Sequence, residues 1–179
     1  MPYSYETFGP FVLDEVKGQT YKQSLKKFWE TRKSDERTKD LCNAVGVYVW
    51  TISKGKKNLP WNVGRTDGQG FEKRFVQKEM GLRYLRDEVE GGRVEVYILA
   101  LRTPKRKFRK PASQGKKLRI NDWLETMLIG SARSVNPHLR NHSKVKYLRD
   151  IKVDGYLNDE TEKRSPSAKS LSSLFTVGR

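Results

Sequence analysis

The sequence predicts an α/β protein of the α+β kind: a small, three-stranded, mainly antiparallel sheet flanked by helices, with an N-terminal helical extension. Three observations predict it. Val45, Val47, Val49 and Thr51 alternate with Gly46, Tyr48, Trp50 and Ile52, a period-two pattern rich in β-branched and aromatic residues. Phe71, Phe75, Met80, Leu82, Leu85 and Val89 recur at near-helical spacing. Residues 93–101 (RVEVYILAL) begin with alternation and end in an apolar run, as a buried strand does.

Taken in order, residues 1–18 mix aromatics with Gly9, Pro10 and Gly18 and read as an extended arm that packs on something. Over 20–33, Leu25, Phe28 and Trp29 fall at helical spacing among Lys and Glu, which predicts an amphipathic helix. A charged connector, 34–40, leads into the alternating strand. Residues 53–58 (SKGKKN) carry turn chemistry and Pro60 suits the start of a returning strand, so the pair is a β-hairpin. Residues 66–70 (TDGQG) turn the chain into the helical stretch, which the interior Gly81 divides and Gly91-Gly92 stops. The strand at 93–101 joins the hairpin as the third of the sheet. Residues 102–119 hold nine Lys or Arg and no acid, with Pro104, Pro111 and Gly115 opposing regular structure. Asn121 or Asp122 then caps a helix running to about Ser134, and Asn136-Pro137 breaks it. Residues 144–153 fit a short helix or a strand equally well. The polar, Ser-rich remainder reads as a tail in which Ser165-Pro166 is a possible helix start. These divisions give an arm and helix at 1–43, a central domain at 44–157 and a tail at 158–179.

The chain carries a formal charge of +16, with 32% charged and 35% hydrophobic residues. The core is therefore modest, and the excess charge points to a polyanionic partner. No apolar run approaches the roughly 18 residues a membrane span needs, and the N-terminus lacks a signal-peptide pattern. The expected setting is cytoplasmic and without a membrane. Cys42 is the one cysteine, so neither an intramolecular disulfide nor a Cys-built zinc site is possible. With only His138 and His142, a His-rich metal site is not expected either.

The hairpin carries a more specific pattern. Gly46-Val47-Tyr48 lies on one strand and Asn62-Val63-Gly64 on the next, followed in order by Arg74, Glu125 and Asn141. In this the sequence resembles the GIY-YIG nucleases, over residues 44–145. It departs at one place: Asn62 stands where that pattern has its second tyrosine. The resemblance implies a metal-dependent endonuclease that hydrolyses phosphodiester bonds of DNA, with RNA also open, using Mg²⁺ or Mn²⁺.

It also implies roles. Glu125 is the metal ligand, since a hard cation takes one carboxylate plus water and substrate oxygens. Tyr48 is the general base or the residue that orients the attacking water. A phenol with a pKa near 10 needs nearby positive charge to do this at neutral pH, and Arg74 and Lys78 are the sources. Arg74 stabilises phosphate charge through its guanidinium fork. Asn62 positions water or phosphate, and Asn141 fixes a group near the metal, with Asn136 the competing choice. Lys56, Lys57, Arg65, Lys105, Arg106, Lys107, Arg109, Lys110, Lys116 and Lys117 are the expected nucleic-acid contacts. Trp61 and Phe108 either stack on a base or pack on the core. Because of Asn62, a catalytically degenerate nucleic-acid binder is the alternative, and an unrelated basic nucleic-acid-packaging protein is a second. Monomer and homodimer both remain open.

Overall fold

The computed structural model describes residues 3–13, 20–55, 57–77, 92–112, 117–141, 144, 165–167 and 170. They fall in two units, Met1–Arg140 and Asn141–Arg179. Of the second, residues 166, 167 and 170 are helical, where Ser165-Pro166 predicts a helix start.

In the first unit the alternating residues form strand β2 (Gly46–Lys54), which returns as β3 (Lys57–Thr66). The register sets Tyr48 opposite Gly64 and Trp50 opposite Asn62, the juxtaposition that the hairpin predicts. The apolar run forms β4 (Arg93–Arg102), antiparallel to β2. The sheet has four strands rather than three: residues of the N-terminal arm form β1 (Ser4–Val12) and pair with β4, giving the order β1-β4-β2-β3. Gly9-Pro10 interrupts the alternation of β1, and the pairing register shifts between Phe8 and Phe11. That irregularity hides the strand from a periodicity reading. The arm is thus part of the sheet.

Helix α1 (Tyr21–Ser34) starts on a capping box: Thr20 Oγ1 accepts from the Gln23 amide, and the Thr20 amide donates to Gln23 Oε1 at 2.7 Å. A single 3-10 turn (Leu41–Asn43) precedes β2. Helix α2 (Phe71–Gln77) follows β3, and the residues expected to continue it lie outside the described ones. Helix α3 (Arg119–Val135) begins after Leu118, which makes no side-chain cap bond. Neither Asn121 nor Asp122 caps it. Asn121 lies inside the helix, fully buried, and its amide is committed to partners distant in sequence.

Successive strand residues point to opposite faces, and both faces of this sheet are covered. Tyr48, Trp50, Ile52, Val94, Val96 and Ile98 share one face with Leu25, Trp29, Phe71 and Phe75 of the helices. Burying each such large apolar side chain stabilises the fold by about 1.5–3 kcal/mol. Trp61 and Phe108 pack against this core, which decides for packing over base stacking. Helix α3 lies against β3 and β2 and buries Ile129 and Ala132. Among the described residues no helix is long and apolar enough to cross a membrane.

Candidate active site

Tyr48 is built into the core rather than laid on its surface. It is 3% exposed, with ring centroids 5.0 Å from Phe75, 6.4 Å from Phe71 and 6.5 Å from Trp50. Its ring crosses the backbone of β3 at Gly64: a Cβ there would stand 2.4 Å from both Cζ and Oη of Tyr48. Any side chain at position 64 would have to displace the Tyr48 ring or the strand, and this is a physical reason for glycine at the end of the second motif. The crossing carries the hydroxyl toward β3, an edge strand of the sheet.

Two charged groups meet the hydroxyl there. Phe71 and Phe75 fasten α2 to the core, and Arg74 between them lies close enough to Tyr48 for its guanidinium to act on the hydroxyl. Arg74 Nε is buried and makes no hydrogen bond among the described residues. Glu125 comes from α3, close enough for its charge to act on the same hydroxyl. Tyr48, Arg74 and Glu125 thus converge from β2, α2 and α3.

The net effect on Tyr48 runs opposite to the expectation of a depressed pKa. Burial pushes the hydroxyl above its ordinary value, and Glu125 pushes the same way; Arg74 opposes them without prevailing. Desolvation of the phenolate wins because the ring is enclosed in the aromatic core.

Arg65 also departs from expectation. It does not reach outward as a nucleic-acid contact; its side chain is 16% exposed and ion-paired inward. Its Nε lies 3.3 Å from Asp67 Oδ2 and 3.6 Å from Glu125 Oε2, and Asp122 pairs with another guanidinium nitrogen. Asp67 is held in turn by Asn121 Nδ2 at 2.8 Å, and Asn121 Oδ1 accepts from the Tyr5 hydroxyl at 2.6 Å. This connected network reaches from β1 to Glu125. Sequence reasoning missed Tyr5, Asp67, Asn121 and Asp122. The one available signal was the crowding of Asp67, Asp122 and Glu125 around the motif in a basic chain.

The other expected site residues divide. Asn62 shares the face of Tyr48 and Gly64; its amide is half-buried and makes no hydrogen bond among the described residues. Asn136 is structural: its Nδ2 donates to Pro60 O at 2.8 Å and its Oδ1 accepts from the His138 amide, tying the end of α3 to β3. Asn141 begins the second unit. Lys56, Lys78 and Lys116 lie outside the described residues. Lys57, Lys105, Arg106, Lys107, Arg109, Lys110 and Lys117 are all exposed.

Glu125 is the candidate metal ligand. Among the described residues no group of three or more His, Cys, Asp or Glu is placed to hold a metal, and Asp67, Asp122 and Glu125 converge on Arg65 instead. One carboxylate completed by water and substrate oxygens is a set that Mg²⁺ accepts, so Glu125 fits as a single-carboxylate ligand. No family model, curated protein or solved structure matches this chain.

Proposed function

We propose that this chain is a metal-dependent endonuclease of the GIY-YIG type that hydrolyses phosphodiester bonds of DNA, with RNA as the alternative polymer. The observation that carries the reading is the convergence of Tyr48, Arg74 and Glu125 at the edge strand β3, from positions far apart in the chain. A buried tyrosine needs a hydrogen-bond partner for its hydroxyl, but it does not need an arginine and a carboxylate together. A buried titratable group perturbed by desolvation and met by charges from two other elements is a functional-site candidate.

In this reading Tyr48 stays neutral at physiological pH and uses its hydroxyl to hold the attacking water in line with the phosphorus. Arg74 donates to the hydroxyl oxygen and directs its remaining donors at a phosphate oxygen, where negative charge grows as the water adds. Asn62 fixes a phosphate oxygen or a second water through its free amide. Glu125 would hold a Mg²⁺ or Mn²⁺ ion, which would supply Lewis acidity to the phosphate and charge for the leaving oxygen. Arg65 holds the Glu125 carboxylate in place through their ion pair. Cys42, free and buried, fits a reducing cytoplasmic setting.

The degenerate-binder reading keeps two specific observations: Asn62 stands where the pattern has a titratable residue, and Glu125 already has a cationic partner in Arg65. Conversion of supercoiled plasmid with Mg²⁺, Mn²⁺ or EDTA decides between the two. The endonuclease reading expects metal-dependent nicking that EDTA stops. An inert wild-type protein whose Asn62→Tyr variant cuts would establish the degenerate binder.

A further inference from the structure

The basic segment after β4 is a built wall. Its first turn closes through the Arg106 amide on Thr103 O and the Thr103 amide on Lys107 O, both at 2.8 Å. The Arg109 amide donates to Leu101 O at 2.8 Å, Arg109 O accepts from the Val45 amide at 3.0 Å, and the Ala112 amide donates to Asp67 O at 3.0 Å. Phe108 anchors the middle, 5.7 Å from the Phe8 ring and 3.7 Å below the Arg102 guanidinium, which also pairs with Glu6. Five cations remain: Lys105, Arg106, Lys107, Arg109 and Lys110 are exposed, and none has an ion-pair partner among the described residues.

A second wall faces it. The connector between α1 and the 3-10 turn is fixed by Thr38, whose Oγ1 donates to Arg32 O at 2.7 Å and whose amide donates to Asp35 O at 3.0 Å. From it Arg37 stands exposed, also without an ion-pair partner among the described residues, while Lys39 is occupied by Glu36 at 2.6 Å. Between the walls runs a groove of about 1230 Å³. Its lining carries eight Lys or Arg against three carboxylates, and two of those carboxylates are already paired with Lys39 and Arg102.

The walls of the groove are tied to the elements that carry the candidate active site. Asn43, which lines it, is in tight contact with the turn before α2: a Cβ on Gly70 would stand 2.8 Å from Asn43 Cα. The Phe71 amide then donates to Ala44 O at 3.1 Å, and Arg74 follows on the same helix. At its other end the basic wall is tied to Asp67, the partner of Arg65.

The geometry points to this groove as the track of the nucleic-acid phosphate backbone, with Arg37 on one wall and the five cations of the loop on the other. The assignment rests on the proposed function for where the polymer leads, but not for the binding itself. The groove offers exposed cations and no exposed aromatic ring, since Phe108 is turned under Arg102. Exposed lysines and arginines along such a track bind backbone phosphates whatever the base sequence. Two fixed walls also hold the charges in place before the polymer arrives, so little ordering is needed on binding.

The test is the salt dependence of binding, measured by fluorescence anisotropy between 50 and 200 mM salt in EDTA. The probes are duplex DNA of two unrelated sequences and duplex RNA. The variants are Arg37→Ala and the fourfold Lys105→Ala/Lys107→Ala/Arg109→Ala/Lys110→Ala protein; these side chains are exposed, and circular dichroism checks that the fold is kept. Each lost phosphate contact lowers the slope of log K against log salt by about 0.9 on duplex DNA. The expected losses are therefore about 0.9 for Arg37→Ala and roughly 3.6 for the fourfold variant, equal for the two DNA sequences. The more tightly bound polymer identifies the source of the phosphates. An Arg37→Ala slope equal to wild type overturns the groove, because the polymer then lies on the outer side of the loop. Loss confined to one DNA sequence overturns it as well. Cleavage is scored separately. Wild-type protein that cuts while both variants keep the full slope overturns the groove alone. Wild-type protein that binds as expected but never cuts overturns the endonuclease reading and leaves the groove standing.

Discussion

Replacing Gly64 with alanine adds one methyl group where the Tyr48 ring crosses β3. A Cβ at that position stands 2.4 Å from Tyr48 Cζ and Oη and 2.8 Å from Cε2. Carbon atoms in contact rest about 3.5–4.0 Å apart, so the ring or the strand must give by roughly 1 Å. The ring is not free to swing, because Phe75 lies 5.0 Å away and Trp50 and Phe71 enclose it further. Overpacking of this kind costs about 1–3 kcal/mol, which in a chain of this size lowers Tm by roughly 2–12 °C. The hydroxyl moves with the ring, and a misplacement of about 1 Å in a positioned group costs on the order of 10²-fold in rate. Thermal unfolding and single-turnover cleavage of supercoiled DNA with Mg²⁺ measure the two effects. A double-mutant cycle isolates the cause: in a Tyr48→Ala background the clash is absent, and Gly64→Ala should then cost no more than about 0.5 kcal/mol. Equal destabilisation in both backgrounds, or wild-type Tm and rate for Gly64→Ala, refutes the reasoning.

Glu125→Gln should abolish metal-dependent cleavage while DNA binding in EDTA stays near wild type; cutting at the wild-type rate would show that Glu125 holds no metal. Tyr48→Phe should lower the single-turnover rate by roughly 10²-fold, as the loss of the group that positions the attacking water does, and Asn62→Ala by less, since its amide holds a phosphate oxygen or a second water; the reverse ranking would make Asn62 the principal group. Asn121→Ala leaves the Tyr5 hydroxyl and one Asp67 oxygen without their amide partner, at a cost of about 1–3 kcal/mol seen in denaturant unfolding. An unchanged denaturation midpoint would mean that the network carries no stability. Burial, with help from Asp67, raises the Tyr5 hydroxyl from 10.0 to about 12. The unfolded chain therefore releases this proton first, and the stability it confers is present below pH 10 and lost as pH climbs toward 12. Tyr5→Phe should flatten the alkaline fall in Tm, and a curve parallel to wild type would remove Tyr5 from its causes.

The sequence by itself determined what rests on neighbours in the chain. Alternation over 45–52 and the turn chemistry after it specify the hairpin and bring Tyr48 beside residues 62–64, whereas the pairing of Tyr48 with Gly64 itself depends on a register shift between Trp50 and Thr51 that has no sequence signal. Thr20 with Gln23 marks the start of α1 because a capping box is a local device. The fold class follows from such signals. Only the tertiary structure decided what depends on partners far away. β1 escaped because Gly9-Pro10 breaks its alternation, and its partner β4 lies about half the chain away. Asn121 resembles a helix cap in isolation, yet its amide joins Tyr5 and Asp67, and neither hydrogen bond has a sequence signal. Arg65 looks like one more surface cation until Asp67, Asp122 and Glu125 surround it. The direction of the Tyr48 shift is of the same kind. Arg74 and Glu125 are visible as charges in the sequence, but how far each counts depends on the burial that the folded core imposes, and burial prevails.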